Sequence, residues 1–273
     1  MRSRRAFVFV ALAGLLAAVI AAPAAPAGSA SVTAAPASGE AALRTAAARA
    51  VLAVAAAARA AGGTFVARYT FDGGRTSGIR DESGRGHTLR LIAGNGGTVR
   101  VVPHRSGQAL RFPAKCRTTS NCPHAALQSA SSAALNPGTR PISFGAAVLL
   151  ARSQTTRGQN IVQKGYSSTS SQYKLQIDGA AGNPSCVFHG AGTGLKIARS
   201  SVSVADGSWH TVECRRTPTA LTVLVDGAVR GNRAISARLS VANNRPLSIG
   251  GKGAYADNDQ FHGIIDDVWV RIG

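Results

Sequence analysis

Aromatic side chains are scarce in this chain: Phe, Trp and Tyr make up 5% of its 273 residues, so Val, Ile, Leu and Ala must fill most of any core. Acid is also in short supply, with 12 Asp and Glu against 31 Lys and Arg. Beyond residue 63 glutamate occurs only at Glu82 and Glu213, far apart in the chain, which leaves little material for paired-carboxylate catalysis. No Cys-x-x-Cys pair occurs and the histidines are scattered, so a zinc cluster is excluded on spacing. The uncharged apolar run at 6–22 has 17 residues, short of the roughly 20 that a spanning helix needs.

That run follows Arg2, Arg4 and Arg5 and decays into Ala and Pro, and small-residue sites end at Gly28-Ser29-Ala30. Residues 1–30 therefore read as a signal peptide, and the expected location is secreted or extracellular. Ser3-Arg4-Arg5-Ala6-Phe7 also fits a twin-arginine export motif, so both that route and the ordinary secretory one stay open. Residues 31–63 are Ala-rich, with arginines interrupting the stretch 40–61, and read as a linker or pro-segment with helical tendency. No spanning or wall-sorting tail is visible at the C-terminus, and no membrane span is expected once the signal is removed.

From Thr64 onward the texture is strands and turns. The organising stretch is 206–227, DGSWHTVECRRTPTALTVLVDG, which reads as two strands, 209–215 and 221–226, around the turn Arg216-Thr217-Pro218-Thr219. Leu221, Val223 and Val225 fall on one face, the period of a half-buried strand, and Asp-Gly pairs supply the turns at either end. Phe65, Ala67, Tyr69 and Phe71 alternate in the same way, and Asp266, Val268, Val270 and Ile272 share a face near the end. Residues 142–150 form an apolar run expected to be a central strand covered on both sides. Further strands are expected near 88–92, 99–102, 109–112, 160–164, 173–177, 185–189 and 247–249. More than ten short strands without a strong helix predict an all-β sandwich or barrel over residues 64–273.

All four cysteines lie beyond residue 115, and in an exported chain an even count favours two disulfides. Of the three possible pairings, Cys116–Cys122 and Cys186–Cys214 is favoured. The first closes a short loop, and the second joins two predicted strands, as a cross-strand or adjacent-strand bridge that would tie the central hairpin down. The formal charge is +19, and removing the six Arg and one Glu of residues 1–63 leaves 25 basic against 11 acidic residues, or +14. Such an excess suits an anionic partner, but along the sequence the cations are dispersed, as on an ordinary basic surface.

Five segments carry a family likeness. They are Tyr69-Thr70-Phe71-Asp72 with Asp81-Glu82-Ser83-Gly84-Arg85-Gly86-His87; Ser106-Gly107-Gln108-Ala109-Leu110-Arg111-Phe112; Asp206-Gly207-Ser208-Trp209-His210-Thr211-Val212 with Val225-Asp226-Gly227; Ser248-Ile249-Gly250-Gly251; and Phe261-His262-Gly263-Ile264-Ile265-Asp266-Asp267-Val268. In this order they resemble laminin G-like domains of the concanavalin A-like lectin/glucanase type. The resemblance implies an antiparallel two-sheet jelly-roll with its first and last strands adjacent. It leaves activity open, because lectins, glycosidases, lyases and adhesion modules share that fold.

Glucanases of the fold carry E-x-D-x-x-E on one strand, and no such pattern occurs here. Gln176-Ile177-Asp178 is the nearest lookalike of a lyase motif and lacks the histidine. The expectation is therefore a non-catalytic module whose partner is a glycan or an anionic cell-envelope polymer. An enzyme of the same fold, or an adhesion domain with a protein partner, is the alternative. No specific nucleic acid is expected. The resemblance also implies a structural Ca²⁺ on Asp81 and Asp266, with backbone oxygens near Gly84 and His87. Against it stand His87 itself and the surrounding arginines, and the rival reading has Asp81 capping a turn and Asp266 pairing with a loop Arg.

A sugar site wants aromatic platforms beside fixed polar groups. Tyr166, Tyr255, Asp257 and Asn258 are the candidates, the last three from the loop GAYADNDQ at 253–260. Tyr173, Trp209 and Trp269 read as packing residues, and Glu213 as one member of a surface charge pair with Arg215 or Arg216.

Overall fold

A computed structural model describes residues 63–116 and 121–273. The expected signal peptide and nearly all of the Ala-rich segment lie outside the described residues. Within them the stretch 206–227 is a hairpin. One strand is Trp209–Arg216 and the other Ala220–Val225, paired from Val212↔Val225 to Arg216↔Leu221. Leu221, Val223 and Val225 are buried while Thr222 is half-buried, and the alternation lapses at Leu224, which is buried too, beside a register shift in the pairing with the next strand.

Fifteen strands make up the domain: β1 (Thr64–Tyr69), β2 (Arg90–Gly94), β3 (Arg100–His104), β4 (Gly107–Arg111), β5 (His124–Gln128), β6 (Ile142–Leu149), β7 (Gly158–Tyr166), β8 (Ser171–Asp178), β9 (Asn183–Gly190), β10 (Gly194–Arg199), β11 (Trp209–Arg216), β12 (Ala220–Val225), β13 (Ala228–Ala234), β14 (Leu247–Ile249) and β15 (Ile264–Ile272). All pair antiparallel, in two sheets. The first runs β13-β12-β11-β6-β15-β4-β3, with β1 alongside the far half of β15; the second runs β10-β9-β8-β7-β14-β5-β2. This is the expected sandwich, with first and last strands adjacent. The sequence pattern missed β5, β10 and β13. HAALQ has only small apolar side chains ahead of Leu127, GLKIAR gives only a short signal, and AVRGNRA is an exposed edge strand with no apolar face.

Core packing explains how so few aromatics suffice. Phe144 of the first sheet meets Tyr173 and Phe188 of the second at centroid separations of 4.9 and 6.1 Å. Aliphatic side chains surround this cluster, and Tyr173 spends its hydroxyl on the Leu135 carbonyl at 3.2 Å. β6 is buried along almost its whole length, as its uninterrupted apolar run predicts. Gly145 in β6 lets Trp269 lie across the sheet, since a Cβ there would fall 2.5 Å from the indole ring. Trp209 and Trp269 are both half-buried, consistent with packing roles.

Of four register shifts among the described strands, two break the period-2 reading of β1 and β15. A register shift between Phe65 and Ala67 brings Val66 inside with Ala67 and turns Phe65 outward, where the Arg271 guanidinium lies 3.9 Å from its ring centroid. A second shift, between Asp266 and Trp269, has Asp267 at φ 46°. Val268, Val270 and Ile272 remain on the core face, but Asp266 leaves it and bonds His104 Nδ1 at 2.5 Å. Arg216 also departs from expectation. It is buried, donates to the Arg140 and Leu239 carbonyls at 2.7 and 2.6 Å, and leaves Arg215 alone as the partner of Glu213.

Both favoured disulfides are present, Cys116–Cys122 and Cys186–Cys214. The second differs from the expected bridge in one respect: β9 and β11 belong to different sheets, so it crosses the core and fastens one layer to the other. Chain-entropy arithmetic for closed loops of sequence separation 28 and 6 gives about 3.6 and about 2.2 kcal/mol. Removing Cys186–Cys214 by double alanine substitution also empties buried volume. Denaturant titration should therefore find it more destabilising than Cys116→Ala/Cys122→Ala by at least about 1 kcal/mol.

Candidate functional site

The segment 250–263 between β14 and β15 is held by its own polar side chains. Gln260 donates through Nε2 to the Gly250 and Phe261 carbonyls, both at 2.9 Å, and accepts from the Ala125 amide at 2.7 Å. Asn258 donates to the Gly253 carbonyl at 2.8 Å and to Gln260 Oε1 at 3.1 Å. Backbone bonds from Lys252 to Asn258 and from Asn160 to Asp259 close the loop against β7. Below it β2 approaches so closely that a Cβ on Gly94 would lie 2.2 Å from the Ala254 carbonyl oxygen. The loop is thereby preorganised.

This loop, the end of β7, the following turn and β8 enclose an open cleft of about 360 Å³. Tyr166 and Tyr255 supply its aromatic surface, and Gln172, Lys174, Lys252, Asp257 and Asp259 its polar one. Tyr255 is 48% exposed, one of few large apolar side chains left in solvent. The Arg245 guanidinium lies 5.3 Å from the Tyr166 ring centroid and fixes that platform from one side. Lys252 Nζ reaches Asp259 at 3.2 Å and Asp257 at 3.9 Å, and Lys174 Nζ reaches Asp259 at 3.7 Å.

Burial pulls Lys174 below the usual lysine range, with Asp259 opposing the shift. The Tyr255 hydroxyl is pushed upward, first by burial and then by the neighbouring Tyr166, so the Tyr255 ring stays neutral at physiological pH. Behind the cleft, buried Lys164 donates to the Asn243 and Arg245 carbonyls at 3.0 and 2.7 Å, pinning the strand entry that carries Arg245.

Three of the four predicted ligand residues, Tyr166, Tyr255 and Asp257, line this one cleft. The fourth, Asn258, is buried, donates to the Gly253 carbonyl and to Gln260 Oε1 within the loop, and lines the adjoining pocket instead. Tyr173 is core, as expected. Lys174, Lys252 and Asp259 were not singled out from the sequence. Lys174 sits in a strand whose neighbours are apolar, and only the fold brings it beneath the Asp-Asn-Asp loop.

The two side chains expected to hold calcium, Asp81 and Asp266, are each engaged by protein donors. Both oxygens of Asp81 accept from backbone amides, of Arg68, Ser83 and His87, at 3.0, 2.9 and 3.1 Å. Burial raises its pKa, and these donors outweigh that and lower it, as the turn-capping alternative requires. Asp266 is engaged by His104 instead of a loop Arg, and burial raises its pKa. Among the described residues no group of three or more acidic, His or Cys side chains is placed to hold a metal ion.

A laminin G-type family model, described as the concanavalin A-like lectin/glucanases superfamily, matches residues 124–271. The chain belongs to that superfamily. The match takes in both tyrosines of the cleft, the loop between β14 and β15 and the inter-sheet disulfide. No curated protein matches by sequence. Among solved structures the domain is similar to the binding domain of Paraclostridial Mosquitocidal Protein 1, with TM-score 0.58, 13% identity, and coverage of 76% of this chain and 48% of that one. It is also similar to domain 4 of AbnA, a GH43 extracellular arabinanase from Geobacillus stearothermophilus, in complex with arabinotriose, with TM-score 0.56, 16% identity, and coverage of 77% and 93%. A third is the binding domain of botulinum neurotoxin DC in complex with SialylT, with TM-score 0.53, 10% identity, and coverage of 76% and 48%. The chain thus spans about half the length of the toxin domains it matches, and at these identities the likeness is one of superfamily fold.

The two glutamates of the domain are each engaged by a local partner. Glu82 accepts from the Thr70 hydroxyl, and Glu213 from Arg215 on the outer face of the first sheet.

Burial without a carboxylate partner pulls Lys164 down to about 8. Between about pH 8 and about 10.4 the unfolded chain then holds a proton that the folded chain has released, so stability rises with pH across this window. Unfolding measured from pH 7.5 to 9.5 should show the rise, on the order of 1–3 kcal/mol, and Lys164→Met should flatten it.

Proposed function

We propose that this chain is an exported, non-catalytic glycan-binding module whose sugar site is the cleft between Tyr166 and Tyr255. One observation carries the reading. Two tyrosine rings, one of them half in solvent, stand beside paired lysines and aspartates on a loop braced by Asn258 and Gln260. Sugar rings offer C–H faces to an aromatic plane and hydroxyls to charged and amide groups, so this mixture suits a saccharide better than an apolar ligand. Asp257 and Asp259 are both drawn to Lys252, which suits orienting hydroxyls more than proton transfer. Two similar structures named as binding domains, one of them in complex with SialylT, and domain 4 of an arabinanase in complex with arabinotriose support the binding reading. Two disulfides support export to an oxidising compartment.

The test is a glycan array followed by titration of the full chain against its best ligand. Tyr255→Ala and Tyr166→Ala should each weaken binding at least about tenfold, equivalent to about 1.4 kcal/mol, without lowering the melting temperature by more than a few degrees. Unchanged affinity in both variants, or sustained release of reducing or unsaturated sugar, would falsify the proposal.

A further inference from the structure

The tyrosine cleft does not end at the Asp-Asn-Asp loop. Asp257 and Asp259 also wall a neighbouring pocket of about 300 Å³, which takes in Lys115, Arg157 and His124. Cys116, Pro123 and His262 are shared in turn between that pocket and a third of about 710 Å³, whose far wall is Arg100 and Arg111. Shared lining residues place the three pockets side by side, from the second sheet to the β3–β4 edge of the first.

The pocket at that edge is basic, and among the described residues no acid pairs with its cations. Arg100 and Arg111 are exposed and stand directly opposite each other on β3 and β4, a like-charge cross-strand pair that destabilises a sheet unless an anion joins it. The carboxylates of the domain are committed elsewhere. Asp72 and Asp81 accept from backbone amides, and Glu82 accepts from Thr70. Asp178 faces Arg199, Asp206 and Asp226 share His210, and Glu213 holds Arg215. Asp257 and Asp259 face Lys252, Asp266 bonds His104, and Asp267 faces Arg105. These are all 11 acids beyond residue 63, and none is paired with Arg100, Arg111, Lys115 or Arg157. The segment between Cys116 and Cys122 carries no acid in its sequence either. A further polar group waits along the route: His124 is 6% exposed and its Nδ1 has no hydrogen-bond partner.

Resting on the glycan reading above, we infer that the ligand is an acidic polysaccharide: a sugar unit sits between Tyr166 and Tyr255 while carboxylate, sulfate or phosphate groups further along the chain reach Arg157, Arg111 and Arg100. The guanidinium pair supplies forked donors for such oxyanions. Dispersed in the sequence, these cations are gathered by the fold.

The experiment uses the full chain with polygalacturonate and its methyl ester, and dextran sulfate and dextran, with polyglutamate as a charged polymer without sugar. At least one charged glycan should bind ten times more tightly than the uncharged galacturonan ester or dextran, with a steep loss on added salt. Arg100→Gln/Arg111→Gln should remove that preference and flatten the salt dependence, with the melting temperature unchanged or higher because a repulsive pair has gone. Retention of the preference in this variant overturns the inference, as does equal binding of polyglutamate or a charged glycan no tighter than its uncharged counterpart. If Tyr255→Ala weakens uncharged and charged glycans alike while the arginine variant changes nothing, the sugar cleft stands and the basic extension falls. If only the arginine variant has an effect, the edge pocket is an anion site and the sugar cleft falls.

Discussion

The structure depends on contact between two β layers that have few large side chains to offer each other. With aromatics at 5% of the chain, the inter-sheet space is filled by aliphatics around one small aromatic cluster, and a Cys186–Cys214 bridge runs through it. Aliphatic packing alone is proportional to area and indifferent to register. The bridge and the Phe144–Tyr173–Phe188 contact fix which strand of one sheet lies over which strand of the other. Everything outside the core inherits that alignment, including the position of the loop between β14 and β15 over β7 and β8.

How far the fold could be read from sequence followed from which residues faced two masters. β6 and the 206–227 hairpin were legible because burial alone dictates their patterns. The ends of β1 and β15 were not, because two bulges, between Phe65 and Ala67 and between Asp266 and Trp269, shift the alternation by one residue. Phe65 and Asp266 therefore changed face. Arg216 was misread because charge in a turn suggests solvent, whereas its guanidinium meets two inward-pointing carbonyls. β5 and β13 gave no signal because short Ala-rich and polar edge strands are specified by their neighbours.

The candidate site was half legible. A Tyr beside an Asp-Asn-Asp run marks a polar aromatic loop, and Tyr255 and Asp257 came from that composition. Asn258 looked the same from sequence, but an amide offers both donors and an acceptor, and a loop without regular structure needs such a group to satisfy its own backbone. Asn258 and Gln260 do that work, which leaves the tyrosine rings and carboxylates free to face outward. Lys174 and Lys252 were invisible because their relevance is set by partners 85 and 5 positions away, Asp259 and Asp257.

Charge shows the same separation between what sequence lists and what a fold assembles. A surplus of 14 positive charges spread along 210 residues looks uniform, and most of it is uniform. Uniformity fails where acids are missing. Because acids are so few, each is drawn to a nearby donor set, and a region they do not reach is left uncompensated without any local enrichment in arginine. In a chain this poor in carboxylates, the informative positions are therefore the cations that no acid reaches, and they are found by following the acids. Arg100 and Arg111 meet that criterion on paired strands, lining a pocket of their own. Under the proposal, a sugar site and an anion site on one surface would select for a polymer bearing both features, a discrimination that neither would achieve alone.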